Sequence, residues 1–511
     1  MGSSAANSEL RMYALSWAIR SKPEWQRKII DSVIMDKWRK EALDQQEALH
    51  INEKRTPNMI NYVLTELAGY AKLSNPESGI ENGPFDAIWF SDRLISNETS
   101  TLLRAAVTNL EDYLTWSIPR CAMGPIIYGR TRSGSTLLEP PKNDGSGHYA
   151  SNALSSSFCW LLSDFSVDAT NGAVTLVSSY INNLHLVMHK PLYCLIESVL
   201  TSFIPLFERV LSRVNGQDRD LYRDVTPGSG RIMVEWMFGT WSGYTMKLCG
   251  ILVPCIWSKG EVKRSLREKA PKVLPEACTE YTGELEKMLV PYSLRGKTIQ
   301  CIVKLANIHL TPENPEYKGG SWHVEGMVNE HIFASGIYYY EEESISESRL
   351  AFRVTTSPPV YHKQDDNMDS HCCQDLGSIA MSTGRALAWP NIYQHRVAPF
   401  HLVDPTKPRH RKILAIFLVN PSIDPIPSAT TVPPQQADWV FAGLDEARAD
   451  PASAFSRVPA EISNAIHEQF PDVFVARAEA EEYRLRLMNE RTIFVKVHDR
   501  ELSHSFNMCE H

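Results

Sequence analysis

The sequence predicts an α+β protein. Its core reads as a double-stranded β-helix (jelly-roll), with large N-terminal helical additions and a C-terminal helical segment. Three observations carry this. Apolar residues in the first third recur at helical spacing. From about Lys297 short β-branched runs alternate with turns, and near the end a mixed-charge helical pattern returns.

In the first third, Leu10, Tyr13, Ala14 and Trp17 make one apolar stripe at helical period. Pro23 interrupts it, and Trp25, Ile29, Ile30, Val33 and Trp38 resume it. Met59 to Leu73 and Thr101 to Leu114 predict two more amphipathic helices, and Thr131 to Ser157, rich in Gly, Ser and Pro, predicts a boundary or long loop. Val174 to Ile181 predicts a strand, and Tyr193 to Leu211 a long helix kinked at Pro205. Lys259 to Lys287 is charged and helical in character. Core strands are expected at Thr298 to Leu310, His331 to Tyr340, Arg349 to Val354, Arg385 to Trp389 and Ile413 to Val419. Proline-rich text from Pro421 to Pro434 closes the core, and Val475 to Asn489 reads as a solvated helix. The resulting division is an N-terminal helical region (1–130), a mixed, mainly helical region (158–290), the jelly-roll core (297–425) and a C-terminal helical extension (426–511).

The 511 residues carry a formal charge of −8, which argues against nucleic acid as the main partner. A membrane span needs roughly 18 apolar residues in a row. The best run, Trp236 to Trp257, is broken by Gly239, Gly243, Lys247 and Pro254. The N-terminus has no basic-then-apolar signal order. The ten cysteines show no Cys-x-x-Cys pair, so free thiols in a cytoplasmic, reducing setting are expected. Gly129 to Gly134 lacks the lysine of a phosphate-binding loop, and no nucleophile elbow or His-Glu-x-x-His motif is present.

Of 16 histidines, His323 alone opens a His-x-acid triplet, where chance gives about two, so context must carry the claim. Gly319-Gly320 makes a turn, and Ser321 to Glu325 then reads as extended chain. On such a run His323 and Glu325 face the same way, roughly 6–7 Å apart along the backbone. A third ligand must come from a neighbouring strand. His395, beyond the Gly384 to Pro390 run and a turn at Asn391, is the candidate, with His401 and His410 as competitors. Two imidazoles and a carboxylate leave one face of Fe(II) open for a chelating 2-oxo acid and dioxygen. Arg411, heading the strand Ile413 to Val419, offers a planar fork for a carboxylate, or else pairs with Asp404.

These residues resemble the Fe(II)/2-oxoglutarate dioxygenase superfamily, especially its prolyl-hydroxylase-like branch, over about residues 297–425. The matching text is His323-Val-Glu325, Ile337-Tyr-Tyr-Tyr340, Gly384-Arg-Ala-Leu-Ala-Trp389, His395-Arg-Val and Arg411-Lys-Ile-Leu. The resemblance implies a metal held by His323, Glu325 and His395, and 2-oxoglutarate held by Arg411 with help from Tyr339. Glu325 departs from the commoner Asp. Over its whole length the chain resembles a fungal family of unknown function. Tyr180 to His185, Val303 to Ile308, Gly319 to Gly326, Asp404 to Pro408 and Cys509 to His511 carry that likeness. The expected activity is oxygenation, hydroxylation by default, of a small, amino-acid-like or specialised metabolite. An iron oxygenase independent of 2-oxoglutarate and a non-catalytic binding barrel are the alternatives.

Overall fold

The computed structural model describes residues 7–46, 54–117, 126–127, 131–132, 135–136, 153–215, 278, 280–355, 370–371, 373–459, 461–462, 464–465, 475, 477–502 and 505–506. Helices α1 (Asn7–Arg20), α2 (Ser32–Asp44), α3 (Pro57–Leu73), α4 (Asn97–Ser117) and α5 (Lys190–Asn215) precede the core strands. Helices α6 (Ala437–Ala449) and α7 (Arg477–Leu502) follow them. The strands of the two larger sheets are β1 (Glu81–Asn82), β2 (Trp89–Ser91), β3 (Ser163–Val167), β4 (Val174–Leu176), β5 (Thr298–Leu310), β6 (Ile332–Glu342), β7 (Ser348–Thr355), β8 (Cys373–Met381), β9 (Ala386–Pro390), β10 (Gln394–Val397) and β11 (Arg409–Val419).

An antiparallel sheet of eight strands runs β1-β2-β9-β6-β11-β5-β3-β4, and a smaller one runs β8-β7-β10. From β6 onward the chain passes from the large sheet to the small one and back: β7 and β8 lie in the small sheet, β9 in the large, β10 in the small and β11 in the large. Alternation of side chains divides the core in two. Along β11, Leu414, Ile416 and Leu418 join Phe203 and Phe207 of α5 in one cluster. Ala415, Phe417 and Val419 join Leu350, Phe352, Leu376 and Trp389 in a second cluster, which fills the space between the two sheets. Helix α5 presses closely on the large sheet. A Cβ at Gly336 would lie 2.9 Å from the Phe203 ring, so any larger residue at this β6 position would have to displace that ring.

The large sheet takes two strands each from the regions 1–130 and 158–290, so it crosses both sequence boundaries. The β-branched run at Val174 yields a strand only to Leu176, because Val177 and Ser178 turn their N–H groups onto the Asp164 carbonyl. Cys278 is disulfide-bonded, which corrects the expectation of free thiols there, whereas Cys194 and Cys301 are free. Among the described residues no helix is long and apolar enough to cross a membrane. The run Trp236–Trp257, residues 129–134 apart from Thr131 and Arg132, and most of Thr131–Ser157 and Lys259–Lys287 lie outside the described residues.

The N-terminal helices are tied on by Arg20. Its guanidinium donates to the Asn82 and Gly83 carbonyls at 2.6 and 3.0 Å and lies 3.9 Å from the Tyr70 ring centre. Nearby on α3, burial pushes the Glu66 carboxyl up to about 8; Arg20 opposes the rise and Glu284 adds to it. Between the ordinary value of 4.5 and about 8 the folded chain holds a proton that the unfolded chain releases, so stability falls as pH rises through that window. Glu66→Gln is expected to flatten this decline, measured as Tm against pH.

Candidate metal centre

The turn at Gly319 requires a positive φ of 92° and brings the chain against β10, where the Gly320 N–H donates to the Val397 carbonyl at 3.0 Å. Farther along, His323 and His395 exchange both backbone hydrogen bonds. The His323 N–H donates to the His395 carbonyl at 3.2 Å and the His395 N–H to the His323 carbonyl at 2.9 Å. The predicted extended run is thus realised as one antiparallel bridge at the edge of the small sheet.

That bridge places the imidazoles side by side, with ring centres 4.4 Å apart. Glu325 Oε1 stands 3.8 Å from His323 Nε2 and 3.4 Å from His395 Nε2. The candidate ligand atoms all lie within 4.8 Å of one another, and no other such group of three occurs among the described residues. His323 Nδ1 lies 2.8 Å from the Ser321 carbonyl, which favours the proton on Nδ1 and leaves Nε2 as a lone pair. His395 is backed by Trp389, whose ring centre is 4.9 Å away, and Trp389 in turn meets Phe352. The His395, Glu325 and His323 side chains are 3, 11 and 31% exposed, so the site opens on the His323 side.

Glu325 is held through its backbone by Asn391, a residue sequence reasoning treated only as a turn. The Asn391 carboxamide accepts from the Glu325 N–H at 2.9 Å and donates to the Glu325 carbonyl at 2.8 Å and the Ile332 carbonyl at 3.2 Å. No spacing rule marks such a clamp, since its partners lie 59 and 66 residues away.

Burial opposes ionisation of Glu325. The hydrogen bonds from His323 and His395, with the charge of Lys304, outweigh it and hold the carboxyl well below its usual range. Burial also disfavours the protonated His323 ring, but contact with Glu325 overcomes this and raises its pKa. For His395 burial wins, helped by the neighbouring His323, and its pKa is lowered. A buried carboxylate beside a neutral imidazole is a donor set ready for a cation.

The other predicted residues sit elsewhere. Arg411 is buried, but its Nε and Nη2 donate to Glu342 Oε2 at 2.9 and 2.7 Å, and its guanidinium lies 4.4 Å from the Phe400 ring centre. Its partner is therefore Glu342, while Asp404 pairs with Lys407. Tyr339 is buried nearby and feels the Arg411 charge. Across the large sheet, Ile302, Phe417, Ser335 and Trp389 are in register, and Trp389 touches His395. Arg411 lies six residues along β11 from Phe417, roughly 20 Å at the rise of a strand. The structure thus unites the triad and places Arg411 with Tyr339, but sets that pair toward the other end of the strands. His410 meets Glu341 at 3.3 Å and His401 lies 3.3 Å from Ser346, so neither competes with His395.

Residues 57–443 match the family described as "Protein of unknown function (DUF4246)", and residues 5–41 match "Domain of unknown function DUF4246, N-terminal". The chain belongs to the DUF4246 family. No curated protein matches this DUF4246 chain in sequence. Among solved structures it is similar to the Fe(II)/(alpha)ketoglutarate-dependent dioxygenase TqaL, at 11% identity and a TM-score of 0.23, covering 64% of this chain and 92% of that one. It is also similar to a bsmA homolog from Methylobium petroleophilum PM1, at 9% identity and a TM-score of 0.21, covering 63% and 85%. Likeness at this level leaves the chemistry of the DUF4246 chain to be argued from its own residues.

Asn391→Ala would leave the buried Glu325 N–H and carbonyl unpaired, a loss on the order of 3 kcal/mol. Urea unfolding is expected to show that loss, and the variant's affinity for divalent metal to fall with it.

Proposed function

We propose that this chain is a non-haem Fe(II)/2-oxoglutarate-dependent oxygenase that acts, with dioxygen, on a C–H bond of a small molecule, hydroxylation being the default outcome. The observation that carries the proposal is the convergence of His323, Glu325 and His395 in a largely buried site at the edge of the small sheet. Two imidazoles and one carboxylate suit Fe(II) and leave an open face. The passage of the chain between two antiparallel sheets supports reading the core as a jelly roll, a fold that can carry such a site between its sheets. Bound iron would supply the redox chemistry with dioxygen that side chains lack.

The protein's own contribution is positional. Ser321 favours the tautomer of His323 that presents Nε2, and Asn391 clamps the Glu325 backbone. Trp389 and Phe352 keep water from behind His395. Helix α7 braces the ligand strand from outside: Phe494 packs with Val324, Met327 and Val328, and Arg491 donates to Glu330 at 2.6 Å. The opening beside His323 is the approach left for a small substrate.

One observation favours a second reading, an iron oxygenase that uses its substrate's own groups as chelators. Arg411, the expected anchor of the 2-oxoglutarate carboxylate with Tyr339, already spends one edge of its fork on Glu342. Anaerobic loading separates the readings. Wild type is expected to take up one Fe(II) per chain, and His323→Ala and His395→Ala to lose it. Added 2-oxoglutarate should then give a weak visible charge-transfer band. Iron without a band favours the second reading, and wild-type protein without iron contradicts both.

A further inference from the structure

The inner face of the large sheet holds one cation close to the triad that the sequence did not single out. On β5, Ile299, Cys301, Val303 and Leu305 turn toward the helices, while Ile302 turns between the sheets. Lys304 shares the face of Ile302 by alternation. It is paired across the sheet with Ala415, one inward position from the row that joins Ile302 and Phe417 to Trp389 and His395. That is roughly 7 Å along the strand.

Aromatic contacts fix its place. Lys304 Nζ lies 5.5 Å from the centre of the Trp160 ring, and Trp160 stacks on Phe417 at 5.7 Å and an interplanar angle of 8°. Its neighbours on that face include the small side chains of Ala306 and Ala415. Lys304 is only partly exposed. Among the described residues, no carboxylate comes within 4.0 Å of Nζ. An ammonium partly withdrawn from water, with no carboxylate in contact, is open to an incoming anion.

We propose that Lys304 is the anion anchor of the candidate metal centre, its ammonium receiving the distal carboxylate of 2-oxoglutarate while the 2-oxo acid end faces the triad. The assignment rests on the oxygenase reading and moves the anchor from Arg411 on β11 to the first long strand of the core. Arg411 is then a structural cation, neutralised by Glu342 and packed on Phe400.

The test uses full-length protein loaded with Fe(II) without oxygen, its iron content measured first. Calorimetry then compares 2-oxoglutarate with 2-oxobutyrate, which has the same chelating end and no distal carboxylate. Lys304→Met is expected to keep its iron, to weaken 2-oxoglutarate at least about tenfold and to leave 2-oxobutyrate unchanged. Lys304→Arg should restore most of the loss, and Arg411→Lys should leave 2-oxoglutarate binding nearly as in wild type. Equal 2-oxoglutarate affinity in wild type and Lys304→Met overturns the assignment alone. So does a wild type that binds the two acids equally. Protein that takes up no iron overturns the oxygenase reading, and the assignment falls with it.

Discussion

The reciprocal backbone pairing of His323 with His395 is the constraint on which the site depends. It joins two segments 72 residues apart in sequence and sets their side chains on one face. Neither segment could hold this geometry alone. The His323 run meets β10 through that bridge and the Gly320 hydrogen bond, so its exact position is completed by side chains. Asn391 supplies the main fixing, because one carboxamide satisfies both backbone groups of Glu325. The small sheet supplies the other, since His395 on β10 pairs with Phe352 on β7.

Electrostatics divides labour within the triad. Glu325 would resist ionisation at its depth, but two imidazoles and a lysine charge overcome the cost of burial. The imidazoles respond differently because His395 is more deeply buried and the neighbouring His323 disfavours a charge on it, whereas Glu325 and the Ser321 carbonyl favour a charge on His323. The result is a carboxylate and two nitrogen donors kept together in a site with limited access to water. Such a group is expensive to maintain without a cation, which is why its occurrence is informative.

Much of this was legible in the sequence, and the exceptions have physical causes. Strands β5, β6, β7, β9 and β11 announce themselves as β-branched or aromatic runs flanked by turns. Strand β8, Cys-Gln-Asp-Leu-Gly-Ser-Ile-Ala-Met, does not, because only part of one face is buried and its polar residues mask the alternation. The triad was readable from its turn, its spacing and its neighbouring runs. The partner of Arg411 was not: a register shift between Tyr339 and Glu341 sets Glu342 opposite Arg411, and bulges leave little trace in composition. Lys304 was hidden for a related reason, since a lysine in a strand reads as solvent-facing until the sheet's inner face is known.

The most direct measurement is an anomalous difference map at the iron edge, from crystals of the protein grown with Fe(II) without oxygen. The account predicts one strong peak between His323 Nε2, His395 Nε2 and Glu325, with room for ligands on the side facing Lys304. A peak placed elsewhere, or none despite an ordered triad, would contradict it.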